Sequence, residues 1–252
     1  MTAGEMLAHG LTYGNRNART FSIDTAAPLQ TCEKDLPIDP YVLGAWLGDG
    51  ASGNGTISKP DLDLFSEIHN RGMGVGPVVG ATRFTRNIVG LNHLLGAAGL
   101  RGNKHIPQAY LRGSESQRLD LIRGLMDTDG TWNKIRNQAV FTTTQKQLAH
   151  DFAELVTSMG WIPRVWELTK RGFGLTITAY DVTFTPHDHN PFILPRKAGL
   201  VRVHGSATSR RRMIVAIEPI PSVPTQCLEV DSPDHLFLVG EGMIPTHNCT
   251  TK

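Results

Sequence analysis

Two stretches of this 252-residue chain end alike. Leu43-Gly44-Ala45-Trp46-Leu47-Gly48-Asp49-Gly50 and Ile122-Arg123-Gly124-Leu125-Met126-Asp127-Thr128-Asp129-Gly130 both run apolar and close on an acid and a glycine. Each carries small residues four apart, Gly44 with Gly48 and Gly124 with Thr128. Residues at that spacing share a helix face, so two such helices can approach closely, and packing them together puts Asp49 beside Asp129. Adjacent carboxylates repel unless a cation lies between them, and a hard divalent ion such as Mg2+ takes oxygen ligands of this kind. A metal so held activates water and stabilises the leaving oxygen in phosphodiester hydrolysis. One Asp-Gly alone reads as a helix end and turn. Two, on matching helices 80 residues apart, favour the paired site.

A second chemistry is written at the end of the chain, Ile244-Pro245-Thr246-His247-Asn248-Cys249. The Asn248 side-chain amide can attack its own backbone carbonyl, forming a cyclic imide and breaking the Asn248–Cys249 bond. His247 is placed to protonate the leaving amine, and the Cys249 thiol can accept an acyl group beforehand. As a bare tripeptide this is equally a polar tail. Cys227 reads either as a nucleophile or as a small buried hydrophobe, the usual state of a free cysteine.

These groups need elements to hold them. A helix is expected from Asp39-Pro40, an acid that caps and a proline suited to the first turn, to Asp49-Gly50. Ala51 to Ser58 is a strand candidate, Pro60-Asp61 opens a helix, 82–89 reads as a strand and 91–98 as a short helix. A second cycle follows: helix Ser116 to Asp127, strand Asn137 to Thr143, helix Lys146 to Met159, then a hairpin of Arg164 to Leu168 and Leu175 to Phe184 turning at Lys170 to Gly174. Residues 38–185 therefore read as an internal duplication. Residues 1–37 read as a leader with a short helix at Ala3 to Gly10, 186–212 as a polar linker, and 213–248 as short strands of a separate all-β segment. The fold class is α+β.

Bulk properties set bounds. Twenty-five basic against 23 acidic residues leave a net charge of +2, too mild to specify a nucleic-acid partner by itself. No apolar run nears the roughly 20 residues that span a bilayer, and the N-terminus lacks a signal pattern, so no membrane role and a cytoplasmic address are expected. Cys32, Cys227 and Cys249 form no disulfide framework. There is no Gly-rich phosphate loop. His187-Asp188-His189-Asn190 has metal-binding residue types without a supporting ligand at a suitable spacing and reads as a solvent loop.

The two helix ends resemble the signature helices of LAGLIDADG homing endonucleases, in the form found inside inteins. That resemblance covers about 38–185 and implies a pseudo-symmetric αββαββα duplication whose antiparallel sheets saddle double-stranded DNA. It also implies one metal-binding acid per motif, Asp49 and Asp129, with Mg2+ as cofactor. The first copy departs from the motif in having Leu47 where the second has Asp127. Asn103-Lys104-His105-Ile106-Pro107 resembles the family's lysine-bearing block, making Lys104 the third catalytic candidate. Candidates for groove contacts are Arg83, Thr85, Arg86, Lys134, Arg136, Arg164, Lys170 and Arg171, chosen on composition.

Cys227-Leu228-Glu229-Val230, Asp234-His235-Leu236-Phe237-Leu238 and the terminal His247-Asn248 resemble the last two blocks of inteins, of the kind carried by replicative DNA helicases. This implies a partial Hint-type splicing module, with Asn248 ending the intein and 249–252 beginning the downstream host sequence. Some inteins lacking the usual N-terminal nucleophile pair a cysteine at this place with a threonine before His-Asn, as Cys227 and Thr246 would. The N-terminal blocks are not found in residues 1–38, so complete splicing by this chain alone is not expected, and its partners would be an N-terminal intein fragment and the host segments. The expectation is a monomeric, metal-dependent DNA endonuclease embedded in an intein. The alternatives are a non-catalytic DNA-binding protein and a splicing element with a decayed nuclease.

Overall fold

The computed structural model describes residues 1–80, 83–172, 175–202, 210–224, 226 and 228–247. The chain divides into two compact units, one of Pro28–Gly205 and a smaller one joining Met1–Ala27 to Ser206–Lys252. The N-terminal segment supplies helix α1 (Ala3–His9) and strands β1 (Thr12–Tyr13), β2 (Ala18–Arg19) and β3 (Ser22–Asp24).

The larger unit opens with α2 (Pro40–Asp49), and Asp39 caps it by accepting from the Val42 amide. Tyr41 through Leu47 are all buried, as expected of a helix that is apolar on every side. β4 (Thr56–Ser58), α3 (Leu62–Asn70), β5 (Val75–Val78), β6 (Thr85–Ile88) and α4 (Leu91–Ala97) follow. After the short α5 (Gln108–Leu111) the pattern repeats as α6 (Glu115–Asp129), β7 (Gly130–Asn133), β8 (Gln138–Thr143), α7 (Lys146–Ser158), β9 (Arg164–Gly172) and β10 (Leu175–Phe184), then α8 (Pro195–Ala198).

The two sheets share one antiparallel order. The second runs β7-β8-β10-β9; the first runs β4-β6-β5, and a bridge from Gly50 to Ile57 supplies the position that β7 holds in the second. Gly50 therefore corresponds to Gly130, and Ile57 to Phe141, which pairs with Gly130. The duplication read from the sequence is present in the backbone.

α2 and α6 cross at their glycines. A methyl group on Gly44 would meet the Leu121 carbonyl and lie 2.9 Å from the Leu125 amide nitrogen; one on Gly124 would meet the Tyr41 carbonyl and lie 2.8 Å from that of Ala45. Gly48 packs in the same way on Thr128. Around this seam lie Trp46, Leu121, Ile122, Leu125, Phe141, Phe152 and Phe184, all essentially inaccessible to water.

Several expectations shift. The larger unit reaches well past 38–185 on both sides. Pro28 to Leu36 lies on it, because the Leu29 amide donates to the Ser158 carbonyl, the Leu29 carbonyl accepts from the buried Arg118 guanidinium, and the Thr31 hydroxyl donates to the Gly113 carbonyl. At the other end Phe192 and Leu194 enter the core and Lys197 is buried, so 186–202 is not a free linker. His187 is buried, and His189 pairs with Glu115 at 3.1 Å; this segment is packed rather than a solvent loop.

In the smaller unit β3 pairs with β11 (Arg211–Met213), and β12 (Leu236–Val239) pairs with β13 (Ile244–His247). Residues 1–27 thus contribute a strand to the C-terminal segment instead of acting purely as leader. Of the short strands expected over 213–248, β11 ends already at Met213, and Gln226 with 228–231 carries none. Among the described residues no helix is long and apolar enough to cross a membrane.

Because the Gly44–Gly124 crossing leaves no space for a side chain, Gly124→Ala is expected to cost about 3 kcal/mol in denaturant unfolding. Gly53→Ala, where a methyl meets nothing, should leave the midpoint nearly unchanged.

Candidate metal-and-phosphate centre

Both helices stop at the same chemical position. Gly50 and Gly130 take extended backbone and donate to the carbonyls of Trp46 and Met126, so each chain turns directly from helix into sheet. Since the helices cross beside these ends, the carboxyls of Asp49 and Asp129 come within hydrogen-bonding reach of each other. The Asp129 carboxyl is pushed up to about 6, first by burial and then by the charge of Asp49. Asp49 Oδ2 is buried without a hydrogen bond, although it contacts Lys59 as an ion pair. Two adjacent, partly buried carboxylates suit a divalent cation. Asp49 and Asp129 would hold it; among the described residues no group of three or more His, Cys, Asp or Glu is arranged for a metal. The remaining ligands would be water, backbone carbonyls or substrate oxygens, as Mg2+ tolerates.

Lys104, the third candidate, lies at the end of α2. Its Nζ donates to the carbonyls of Leu47, Gly48 and Gly50 at 3.0, 3.1 and 2.7 Å, and lies 5.0 Å from the centre of the Trp46 ring. Burial lowers its amine to about 8, against the raising pull of Asp129 and Asp49. The segment bearing it is pinned where the Ile106 amide donates to Asp151 at 2.8 Å. Lys104 and Asp129 line one open cleft of about 390 Å³ with Ser52, Thr142, Gln145 and Lys170.

Two lysines escaped the sequence reading. Lys197 lies in the segment expected to be a polar linker, yet its Nζ donates to the carbonyls of Met126, Thr128 and Gly130 at 2.8, 3.1 and 2.7 Å. It repeats at the end of α6 what Lys104 does at the end of α2, and burial lowers it likewise to about 8. Asp127, buried and absent from the first copy, receives the amides of Ile193 and Leu194 and the Tyr41 hydroxyl, thereby fixing the segment that carries Lys197. Lys59, just after β4, pairs with Asp49 and donates to the Thr128 carbonyl at 2.9 Å. Lys59 is the first lysine after the Asp49 motif, whereas Lys134, Lys146 and Lys170 all precede Lys197 after the Asp129 motif, so no sequence signal singled out Lys197.

The groove candidates divide. Arg164 and Lys170 lie on the face of the second sheet opposite Phe141 and Val182, beside Trp166, and Lys170 pairs with Asp181 at 2.8 Å. Lys134 and Arg136 are exposed at the β7–β8 turn, and Arg83 is exposed just before β6. Arg171 is a strand residue in register with Thr176, so the hairpin turn lies beyond it. Arg86 faces the other way. It pairs in register with buried Ile57, and its guanidinium lies 5.4 Å from the Phe65 ring; strand alternation puts it on the helix side. The open face of that sheet carries Thr56, Ser58, Thr85 and Asn87 instead. Thr246 and His247 stand on β13, opposite Phe237 and Leu236. Cys227, Asn248 and Cys249 lie outside the described residues.

Residues 116–183 match the family described as LAGLIDADG-like domain. The chain carries a LAGLIDADG-like domain, and its second motif falls inside the match. By sequence it is 36% identical over 239 residues to the replicative DNA helicase DnaB of Mycobacterium intracellulare, covering 91% of this chain and 38% of that protein. Against DnaB of Mycobacterium leprae it is 51% identical over 37 residues, 15% of this chain and 6% of the other. The chain thus spans well under half the length of these relatives. A LAGLIDADG-like domain in a helicase-matching chain agrees with the resemblance to inteins of replicative helicases. Solved structures of homing endonuclease I-DmoI are also similar, covering 59% of this chain. Its mesophilic variants share 15% identity, 88% of that chain and a TM-score of 0.41; its complex with DNA and Mn shares 17%, 89% and 0.39.

The raised Asp129 carboxyl has a stability consequence. Its folded pKa lies above the unfolded value, so the folded chain binds more protons between about pH 4 and 6, and this contribution to stability is lost as pH rises through that window. Asp129→Asn is expected to raise the thermal midpoint near pH 7 in chelator, with the gain shrinking toward pH 4; scanning calorimetry across that range measures it.

Proposed function

We propose that this chain is a divalent-metal-dependent endonuclease that cuts double-stranded DNA at a long, asymmetric site, carried within an intein. The observation that supports it most directly is the face-to-face pair Asp49 and Asp129 at two glycine-packed helix ends, with Lys104 beside both. When bound, the metal would lower the pKa of a water and stabilise the departing oxygen. Asp49 and Asp129 would bind it and fix its place between the two halves. Lys104, held by three carbonyls near a pKa of about 8, can supply positive charge to a phosphate or exchange a proton with attacking water near neutral pH. Lys197 offers the same group to the other half. The open sheet faces would lie along the DNA, with Arg164, Lys170, Trp166 and the β7–β8 turn as contacts, and Mg2+ is the metal proposed. A chain that contains both halves needs no second copy to complete the site, so it would act as a monomer.

Cleavage should be metal-dependent and should vanish in Asp49→Asn and in Asp129→Asn, while affinity for the selected site falls by less than about tenfold, since phosphate contacts lie elsewhere. Cleavage of a randomised plasmid pool, followed by gel-shift on the recovered site, measures both. Full cutting by both variants would refute the assignment, and binding with no cutting by the unmodified chain would favour the non-catalytic alternative.

A second activity is proposed for the smaller unit, supported by the pairing of Thr246 and His247 with the Leu236–Val239 strand, which gives the terminal Asn248-Cys249 a folded base. Asn248 would cyclise and release the tail with His247 as proton donor, and Cys227 and Cys249 would serve as acyl acceptors when the N-terminal splicing segment is present. Mass spectrometry should show slow loss of Cys249 to Lys252, slowed in His247→Ala and stopped in Asn248→Ala. Tail loss persisting in Asn248→Ala would remove this reading.

A further inference from the structure

The two halves treat their acids differently, and the difference lies in one side chain. Lys59 immediately follows β4, and its backbone amide is held by the Phe84 carbonyl at 3.0 Å. Its Nζ pairs with Asp49 Oδ2 and donates to the Thr128 carbonyl at 2.9 Å. Asp49 closes α2, while Thr128 belongs to the last turn of α6. One ammonium therefore ties an acid of the first half to the helix end of the second. The lysine side chain is only 17% exposed, so solvent screens the contact weakly.

The matching position in the second half is found from the register. Ile57 faces Gly50 as Phe141 faces Gly130, so Lys59 corresponds to Thr143. That residue has no charge, and its hydroxyl accepts from the Gln145 amide at 3.2 Å. Asp129 thus lacks a tethered partner of this kind. Lys104 does not duplicate the arrangement either, because its ammonium is spent on three backbone carbonyls.

We propose that Lys59 is a built-in counter-cation of the carboxylate pair: it holds Asp49 and the two helix ends together in the metal-free chain, and it competes with a divalent ion for Asp49. This rests on the metal-site reading given above. An ammonium within ion-pair distance of Asp49 repels a divalent ion entering the same carboxylates, and at partly buried sites that repulsion is large compared with thermal energy. The same contact stabilises the empty site by offsetting repulsion between two acids. Lys59 is then a positioning residue that weakens metal binding and makes the unloaded fold tolerable.

The test is calorimetric titration of the full chain with Mn2+, paired with thermal unfolding in chelator. Lys59→Met should bind Mn2+ at least about tenfold more tightly and unfold at a lower temperature without metal, the loss being recovered on adding Mn2+. Lys59→Arg keeps the charge and should stay close to the unmodified chain in both measurements. Lys59→Gln, which retains a donor for the Thr128 carbonyl, should follow Lys59→Met in metal affinity and guards against a folding failure. Unchanged or weaker Mn2+ binding in Lys59→Gln and Lys59→Met would overturn the proposal. If Mn2+ binding by the unmodified chain disappears in Asp49→Asn while the Lys59 variants bind like the unmodified chain, only the counter-cation role falls. If the unmodified chain and Asp49→Asn bind Mn2+ equally, the metal site falls with it.

Discussion

The approach of α2 to α6 is the constraint from which the rest follows. Backbone meets backbone at Gly44 and Gly124, so neither helix can slide or rotate without driving a carbonyl into its neighbour. Both helices end at the same depth beside this crossing, and the residue closing each one is an aspartate. Packing that stabilises the fold through close contact therefore forces together two charges that destabilise it. Burial raises the energy of the pair further, which is why the Asp129 carboxyl holds its proton to about 6 and why three lysines converge on the helix ends. On the proposed reading, a divalent cation would offset the repulsion that this packing imposes.

The lysines also answer a backbone problem. The last carbonyls of a helix lack partners within the helix, and here the chain leaves as a strand without a left-handed cap. Lys104 and Lys197 satisfy those carbonyls from outside, three each. Because both amines are desolvated in doing so, they fall to about 8, within reach of proton exchange near neutral pH. On the proposed reading, capping and chemistry are served by the same geometry. The two segments are anchored differently: a carboxylate of α7, Asp151, fixes the Lys104 segment, while Asp127 of α6 itself fixes that of Lys197.

What could be read from the sequence was what local chemistry determines. Asp39 with Pro40 marks a helix start, small residues four apart mark a close crossing, and Asp-Gly marks each helix end; the elements and the two acids followed. Lys59 and Lys197 were not legible, because a long flexible side chain reaches its partner only once tertiary packing has put a carbonyl or carboxylate within range. Arg86 was misplaced for a related reason: composition identifies a basic strand, but the phase of the alternation decides whether the arginine meets the open face or Phe65. The pairing of Ser22–Asp24 with Arg211–Met213 joins segments remote in sequence, and nothing within either short run names its partner.

The duplication preserves framework and varies chemistry. Sheet order, helix crossing and the turn from Asp-Gly into strand are common to both halves, while Leu47 stands against Asp127 and Lys59 against Thr143. The sheets differ in the same spirit. The second has strands of nine and ten residues and presents Arg164, Trp166 and Lys170 on its open face. The first has strands of three and four residues and presents Thr56, Ser58, Thr85 and Asn87. On the proposed reading, the second sheet meets DNA with charge and an aromatic ring, so its contribution should weaken steeply with salt. The first offers hydroxyls and an amide, which discriminate base edges while neutralising few phosphates. Affinity would then be concentrated in one half-site and a larger share of discrimination in the other, a division that a pair of identical subunits could not make.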